Sequence, residues 1–330
     1  MDLRNATALV TGADGFIGSH LTERLVEVGA RVRAFCLYNS NGSLGWLDGI
    51  DPAIRERLDV RLGDVRDARF VEAACEGVEY IFHLAALISI PYSYHAPESY
   101  VQTNVCGTLN VLEAARRQRP KRLIHTSTSE VYGTPDALPI RETHPLKAQS
   151  PYAATKVAAD QLALSYHCSF GVPVAVLRPF NTFGPRQSTR AVMSTLLFQL
   201  LAGRREIQLG RLDPRRDLTY VSDTVEGFVK AATAEGLEGT TTQLGTGRSV
   251  SIAELFEVCR RVTGCDARVV QDPRRLRPDA SEVLELLSDP ALAAERLGWK
   301  AEVSLEEGIE RTADWIRESP ALFHSELLHV

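Results

Sequence analysis

The stretch VTGADGFIG, residues 10–18, constrains the fold of this chain more than any other. It sets Gly12, Gly15 and Gly18 directly after an apolar β-rich run, ATALVT (6–11), and directly before SHLTERLVEVG (19–29). In the latter, Leu21, Leu25 and Val28 recur at helical spacing until Gly29 stops the pattern. A strand that turns over small residues into a helix brings backbone close to a pyrophosphate and offers it free N–H groups and the helix dipole. The spacing is GxxGxxG, with Phe16 and Ile17 on the same turn as the glycines.

The rest of the first half repeats this strand–helix rhythm. RVRAFCLY (31–38), LDVRLGDV (58–65), EYIFHLAAL (79–87), KRLIHTST (121–128) and VPVAVLRP (172–179) read as strands, with helical patterns near 68–76, 98–118 and 152–169 between them. Such alternation predicts an α/β fold, a doubly wound parallel sheet of the Rossmann kind with right-handed crossovers. After Pro179 the rhythm loosens. RPFNTFGPRQ is a Pro/Gly-rich loop, AVMSTLLFQLLAG (191–203) an amphipathic helix, and DLTYVSD (217–223) with VEGFVKAATA (225–234) reads as a return to the sheet. Capping boxes, Ser251 with Glu254 and Ser304 with Glu307, open two further helices. The expected division is a dinucleotide-binding domain over 1–180, with a return segment near 217–247. Residues 181–216 and 248–330 then form a smaller mixed α/β substrate-binding domain.

Composition removes several function classes. With Lys+Arg 37 against Asp+Glu 42 the net charge is −5, which gives no general attraction to nucleic acid, so an anionic ligand must be held by locally placed Arg or Lys. The six cysteines are scattered without a CxxC and read as reduced thiols, neither a disulfide frame nor a metal site. No apolar run approaches membrane-spanning length and the N-terminus lacks a signal-peptide pattern, so a cytoplasmic protein with no membrane partner is expected.

Three further features carry chemistry. The ribose-binding carboxylate of a dinucleotide fold belongs about 20 residues after the glycines, at the end of the next strand. Cys36 stands there, followed by LYNSNGS, and Arg33 is the nearest cation, so neither an acid for NAD nor an Arg pair for NADP is present and these residues leave the choice open; the expected cofactor is NAD, with NADP not excluded. Asp64, with Val65 at the end of the third strand, is placed either to reach the adenine edge or to cap the following helix. Tyr152 and Lys156, four apart in SPYAATKVAAD, share a helix face, where a lysine ammonium lowers the phenol's affinity for its proton. Such a pair can take a proton from a substrate alcohol as hydride leaves its carbon. TSTSEVYG (126–133) puts a lone Glu130 among hydroxyls at a strand end, readable as a local turn or as a carboxylate held to move protons. His83 and His125, on apolar strands, read as satisfied core histidines.

Taken together, the glycine turn, HLAA (83–86), Asn104 in TNVCG, the Tyr152/Lys156 pair and RPFNTFGPRQ resemble the extended short-chain dehydrogenase/reductase superfamily over nearly the whole chain. Within it, STSEVYG is similar to the nucleotide-sugar 4,6-dehydratases. RAFCLYNSNGSLGWLD, HLAALISIPYSYHAPESYVQTNV and RLDPRRDLTYVSDTVEGF look most like the dehydratases of UDP- or GDP-N-acetylglucosamine in legionaminic-type sugar pathways. The resemblance implies tightly bound NAD(P), contacted by Gly12, Gly15, Phe16, Ile17, Gly18, Asp64, Val65, Leu84, Ala85, Ala86, Asn104, Tyr152 and Lys156. It implies that Thr128, Ser129 and Glu130 supply the elimination of water across C5–C6 after oxidation at C4, with hydride returned to C6. Epimerases of the same fold usually lack the carboxylate at the Glu130 position. Serine stands where other dehydratases carry aspartic acid, so either Glu130 makes both proton transfers or Ser129 relays one.

The resemblance further implies a nucleotide-sugar substrate held by Asn181, Arg186, Arg216 and Arg277, with Ser89 and Tyr92 lining the sugar pocket. It also implies a homodimer through the helices near 98–118 and 152–169, whose apolar residues exceed one stripe. Rival expectations are a UDP-glucuronate decarboxylase, which also carries a Thr-Ser-Glu segment, a 4-epimerase, and an NAD(P)-sensing module without catalysis.

Overall fold

A computed structural model describes residues 2–319; Met1 and residues 320–330 of the expected C-terminal segment lie outside the described residues. In chain order the strands are β1 Thr7–Thr11, β2 Arg31–Leu37, β3 Asp59–Gly63, β4 Tyr80–His83, β5 Arg122–Thr126, β6 Val174–Pro179 and β7 Asn181–Phe183. They continue with β8 Glu206–Leu209, β9 Arg215–Tyr220, β10 Thr241–Leu244, β11 Ser249–Ser251, β12 Arg268–Gln271 and β13 Glu285–Leu286.

The main sheet runs β10-β6-β5-β4-β1-β2-β3, and every pairing in it is parallel. Side chains alternate between its two covered faces. Ala8 and Val10 of β1 join the core that holds Leu21 and Leu25 of helix Phe16–Glu27 and Phe228 of helix Val221–Thr233. Leu9 joins the opposite core, with Val71, Val111, Leu112 and Ala163 from helices Ala68–Cys75, Gly107–Gln118 and Pro151–Phe170. Burial on both faces is what a doubly wound sheet requires of its strands. The strand order reverses between β4 and β1, so the crevice at the carboxyl ends of β1, β4 and β5 is the topological switch point where such folds bind ligands.

The second half differs from expectation in one respect. The strand at 215–220 does not re-enter the main sheet. β9 is the centre of a small separate sheet, flanked by β7, β11 and β13, while β8 and β12 form a two-stranded ribbon. The return is made by helix Val221–Thr233, packed on helix Phe16–Glu27, and by β10 beside β6. Asp217 explains the placement. Its buried carboxylate accepts from the Thr246, Gly247 and Ser288 backbone N–H groups at 2.8, 3.0 and 3.2 Å, satisfaction available only in the small sheet.

The helix expected near 98–118 is interrupted by a wide π-helical turn over Val101–Cys106. The Ser251–Glu254 capping box is complete, whereas Ser304 accepts from Glu307 N without a reciprocal bond from the glutamate side chain. All six cysteines are free thiols. No helix of the described residues is long and apolar enough to cross a membrane.

Candidate active site

The glycine turn is shaped by contact. Gly12 has φ +71°, and a Cβ there would sit 2.9 Å from the Ala85 backbone. A Cβ on Gly18 would collide with the Gly12 carbonyl. Gly15 is the N-cap of helix Phe16–Glu27 and supplies no side-chain cap, so the first-turn N–H groups, including those of Phe16 and Ile17, are left for an outside acceptor. This cradle fits the diphosphate of a dinucleotide.

The facing segment, Leu84–Leu87, is pinned at both ends. Thr11 Oγ1 accepts from Leu84 N and Ala85 N, each at 3.2 Å. Asn104 accepts from Leu87 N at 2.8 Å and donates to Leu87 O and Thr155 Oγ1 at 2.9 and 3.0 Å. The Asn104 carboxamide thus holds the Leu84–Leu87 segment in place through Leu87. The π-helical turn is what aims it there.

His83 lies between Thr11 Oγ1 and Thr108 Oγ1 at 2.8 and 3.0 Å, and burial, ahead of its charged neighbours, pushes its pKa well down, as suits a core histidine. Asp64 does not cap the next helix; Asp67 does. Asp64 is instead forked to Arg66, with Oδ2 2.5 Å from Nη2, at the end of β3. Val65 beside it is buried, its carbonyl accepting from Asn110.

Tyr152 and Lys156 enter on helix Pro151–Phe170, whose start is set by Ser150 accepting from Ala153 N at 3.1 Å and by Pro151 in the first turn. Both side chains are buried. Burial dominates at Tyr152 and pushes its pKa above the ordinary value, the Thr128 hydrogen bond opposes the rise, and the Glu130 charge adds to it. Lys156 Nζ donates to Thr126 O at 2.5 Å, and burial lowers its pKa to about 8 against the pull of Asp160.

Asp160 stands one helical turn beyond Lys156. It accepts from Ser127 Oγ at 2.6 Å and Arg178 Nη2 at 2.8 Å, and lies 3.2 Å from His125 Nε2. Burial works against its charge, yet these partners hold its carboxyl well below the usual range. His125 is thus a core histidine in a buried network that extends through Arg178 to Tyr132 and Gln243. Sequence reading missed Asp160 and Arg178. The i, i+4 step from Lys156 to Asp160 was the available signal.

Thr128 caps a 3₁₀ turn over Ser129–Tyr132, its hydroxyl accepting from Glu130 N at 3.3 Å. Ser129 is buried and Glu130 half-buried. The Glu130 carboxylate adds to the rise of the Tyr152 pKa and opposes the lowering of that of Arg216.

On that far side Arg216 is buried. Its Nη2 lies 3.3 Å from Glu282 and its Nη1 donates to Arg215 O at 2.9 Å. Burial lowers its pKa; Glu130 opposes this, Arg277 adds to it, and Glu282 opposes it. Arg277 reaches the same Glu282 oxygen at 3.5 Å. Two guanidinium groups sharing one carboxylate leave a net positive charge suited to a diphosphate. Asn181 Oδ1, on β7 beside β9, is buried with no partner among the described residues. A cavity of about 880 Å³ opens beyond Arg277, lined also by Leu212, Val269, Gln271, Leu276 and Pro278.

Ser89 precedes helix Ile90–His95, its carbonyl accepting from Tyr100 OH at 2.5 Å, and Tyr92 is exposed on that helix with its ring 6.2 Å from that of Tyr100. Tyr94 OH on the same helix meets Ser281 Oγ at 2.6 Å, tying it to the segment that carries Arg277 and Glu282. Arg186 holds Glu23 and donates to Ser19 Oγ of helix Phe16–Glu27, away from the Arg216–Glu282–Arg277 cluster.

The profile of the GDP-mannose 4,6 dehydratase family matches residues 9–312. Among relatives, a UDP-glucose 4-epimerase of Mycolicibacterium smegmatis is 34% identical over 94% of this chain and 98% of its own. A dTDP-glucose 4,6-dehydratase of Streptomyces antibioticus is 34% identical over 95% of this chain and 93% of its own. UDP-glucuronic acid decarboxylase 6 of Arabidopsis thaliana is 32% identical over 92% and 87%. The solved structure of DesIV, a dTDP-glucose 4,6-dehydratase from Streptomyces venezuelae with NAD bound, aligns with a TM-score of 0.84 at 30% identity, covering 96% of this chain and 99% of that one.

Proposed function

This chain belongs to the GDP-mannose 4,6 dehydratase family, and from that premise we propose that it is a nucleotide-sugar 4,6-dehydratase using NAD, acting on a UDP- or GDP-linked N-acetylhexosamine. Its relatives include epimerases, decarboxylases and dehydratases, so the family name does not select among them. The observation that carries the reading is Glu130: a half-buried carboxylate at the end of β5, next to Thr128 and Ser129, electrostatically coupled to both Tyr152 and Arg216.

NAD, when bound, takes up hydride from the sugar C4 and gives it back at C6. Tyr152 would act as the phenolate, favoured by the Lys156 ammonium and the charge of the bound nicotinamide, and would receive the C4 hydroxyl proton as hydride leaves the carbon. Lys156, fixed by Thr126 O, keeps a positive charge beside the reacting centre and a donor for a ribose hydroxyl. A C5 proton next to a C4 ketone is acidic, and Glu130 removes it. Glu130, directly or through Ser129, then delivers a proton to the departing 6-hydroxyl. Arg216 and Arg277 hold the diphosphate, with Asn181 beside them, and the cavity beyond Arg277 takes the nucleoside. No net redox change occurs. A homodimer through helices Gly107–Gln118 and Pro151–Phe170, which expose Leu109 and Phe170, belongs to the same proposal; a native mass equal to the 36.3 kDa chain overturns it.

The test is mass spectrometry of the purified protein incubated with a panel of UDP-, GDP- and dTDP-sugars and no added cofactor. Loss of one water from a single substrate is the expected result. Loss of carbon dioxide from UDP-glucuronate replaces the reading with a decarboxylase, and an unchanged mass with a new 4-epimer replaces it with an epimerase.

A further inference from the structure

The end of β2 lacks the acid that reads a ribose in dinucleotide folds, and the structure shows what stands there. Cys36 is fully buried and faces the core, so it presents no acceptor. The carboxylate at this strand end comes from the glycine turn: Asp14 Oδ2 accepts from Leu37 N, one residue beyond Cys36, at 3.1 Å. Asp14 is half-buried, and the Leu37 N–H and its own backbone N–H donate to its carboxylate, which leaves acceptor capacity on Oδ1.

The loop that follows β2 is built around this residue. Trp46 N donates to Asp14 O at 3.1 Å, and a Cβ on Gly45, which has φ +58°, would lie 2.6 Å from that oxygen. The Asn39 carboxamide, donating to Ser43 O and accepting from Ser43 N, and Asp48, accepting from Ser43 Oγ and Leu44 N, close the loop.

The neighbouring cations are committed elsewhere. Arg33 donates to Asp59 at 2.7 Å and to the Ala74 and Glu76 carbonyls at 2.8 and 2.9 Å, and Arg66 is forked by Asp64.

We propose that Asp14 selects NAD over NADP, supplying from the first strand–helix turn the carboxylate that Cys36 cannot supply from the end of β2. A ribose 2′-hydroxyl can donate to Oδ1. A 2′-phosphate, carrying about −1.5 to −2 charges, meets a fixed negative charge with no free guanidinium to offset it. The proposal rests on the dinucleotide reading above and adds the residue that discriminates.

The test measures NAD and NADP affinities by calorimetry on protein stripped of cofactor, for the wild type and for Asp14→Asn. Mass spectrometry of nucleotide released by denaturation gives a second readout. Asparagine keeps an acceptor for Leu37 N–H while removing the charge, and Asp14→Ser repeats the test should the first variant melt early. The wild type is expected to favour NAD about a hundredfold. Both variants are expected to narrow that preference at least about tenfold. A wild type that binds both equally, or variants that keep the wild-type ratio, overturn the role of Asp14 and leave the enzyme reading standing. A wild type that binds neither overturns both.

Discussion

The proposed cofactor wall and the proposed substrate wall are built in opposite ways. The proposed cofactor wall, from Gly12–Gly18 through Leu84–Leu87 to Tyr152 and Lys156, lies on strand ends and one helix packed on a single sheet. Its contacts join adjacent strand ends, as with Thr11 and Ala85, or the helix and the sheet, as with Lys156 and Thr126. The substrate wall gathers Asn181, Arg216, Arg277 and Glu282 from a small sheet and a loop joined by no common motif. Glu130, on the 3₁₀ turn after β5, opposes the lowering of the Arg216 pKa. Relatives named as epimerases, decarboxylases and dehydratases align with nearly the whole of this chain.

The largest effect is expected at Glu130. Glu130→Gln should lower water loss by about 10²–10⁴-fold while hydride removal continues. The near-ultraviolet absorbance of reduced nicotinamide should then accumulate on adding substrate. Tyr152→Phe should lower turnover by a similar factor, about 10²–10⁴-fold, with no such absorbance. If Glu130→Gln turns over at the wild-type rate, Glu130 is not the base.

The same division decided what could be read from the chain alone. The cofactor wall was legible because its chemistry is written at short spacing: three glycines over one turn, and a tyrosine and lysine one helical turn apart. What the chain alone does not display is where tertiary contacts commit a side chain. Asn104 bonds Leu87 and Thr155, and Arg186 bonds Glu23. Burial raises the Tyr152 pKa, a cause that the spacing of Tyr152 and Lys156 does not show. Glu282 had no signal at all, because its meaning comes only from the two arginines that converge on it.

A smaller effect should follow from loosening the substrate wall. Arg216→Gln removes one of the two guanidinium groups and leaves Glu282 to Arg277 alone. Charged hydrogen bonds of this kind contribute about 1.5–3 kcal/mol, so KM for the nucleotide sugar should rise about 10–100-fold. Cofactor retained through purification should not change. Joint loss of cofactor and substrate affinity would show that the walls are not independent.

The smallest effect, a few-fold, is expected with pH, and it distinguishes the walls by their chemistry. Lys156 has a pKa near 8 because burial disfavours its ammonium, whereas the cations of the substrate wall are guanidinium groups that keep their protons. As pH rises through that value the first oxidation should slow, with substrate affinity unchanged. Unfolding would not mimic this. The unfolded lysine keeps its proton up to about 10.4, so between the two values the unfolded state binds more protons than the folded one. This group's contribution to stability therefore rises with pH in the window where activity falls. Lys156→Arg, charged throughout, should be slower at neutral pH but lose the alkaline decline; a decline that persists in that variant assigns it to another group.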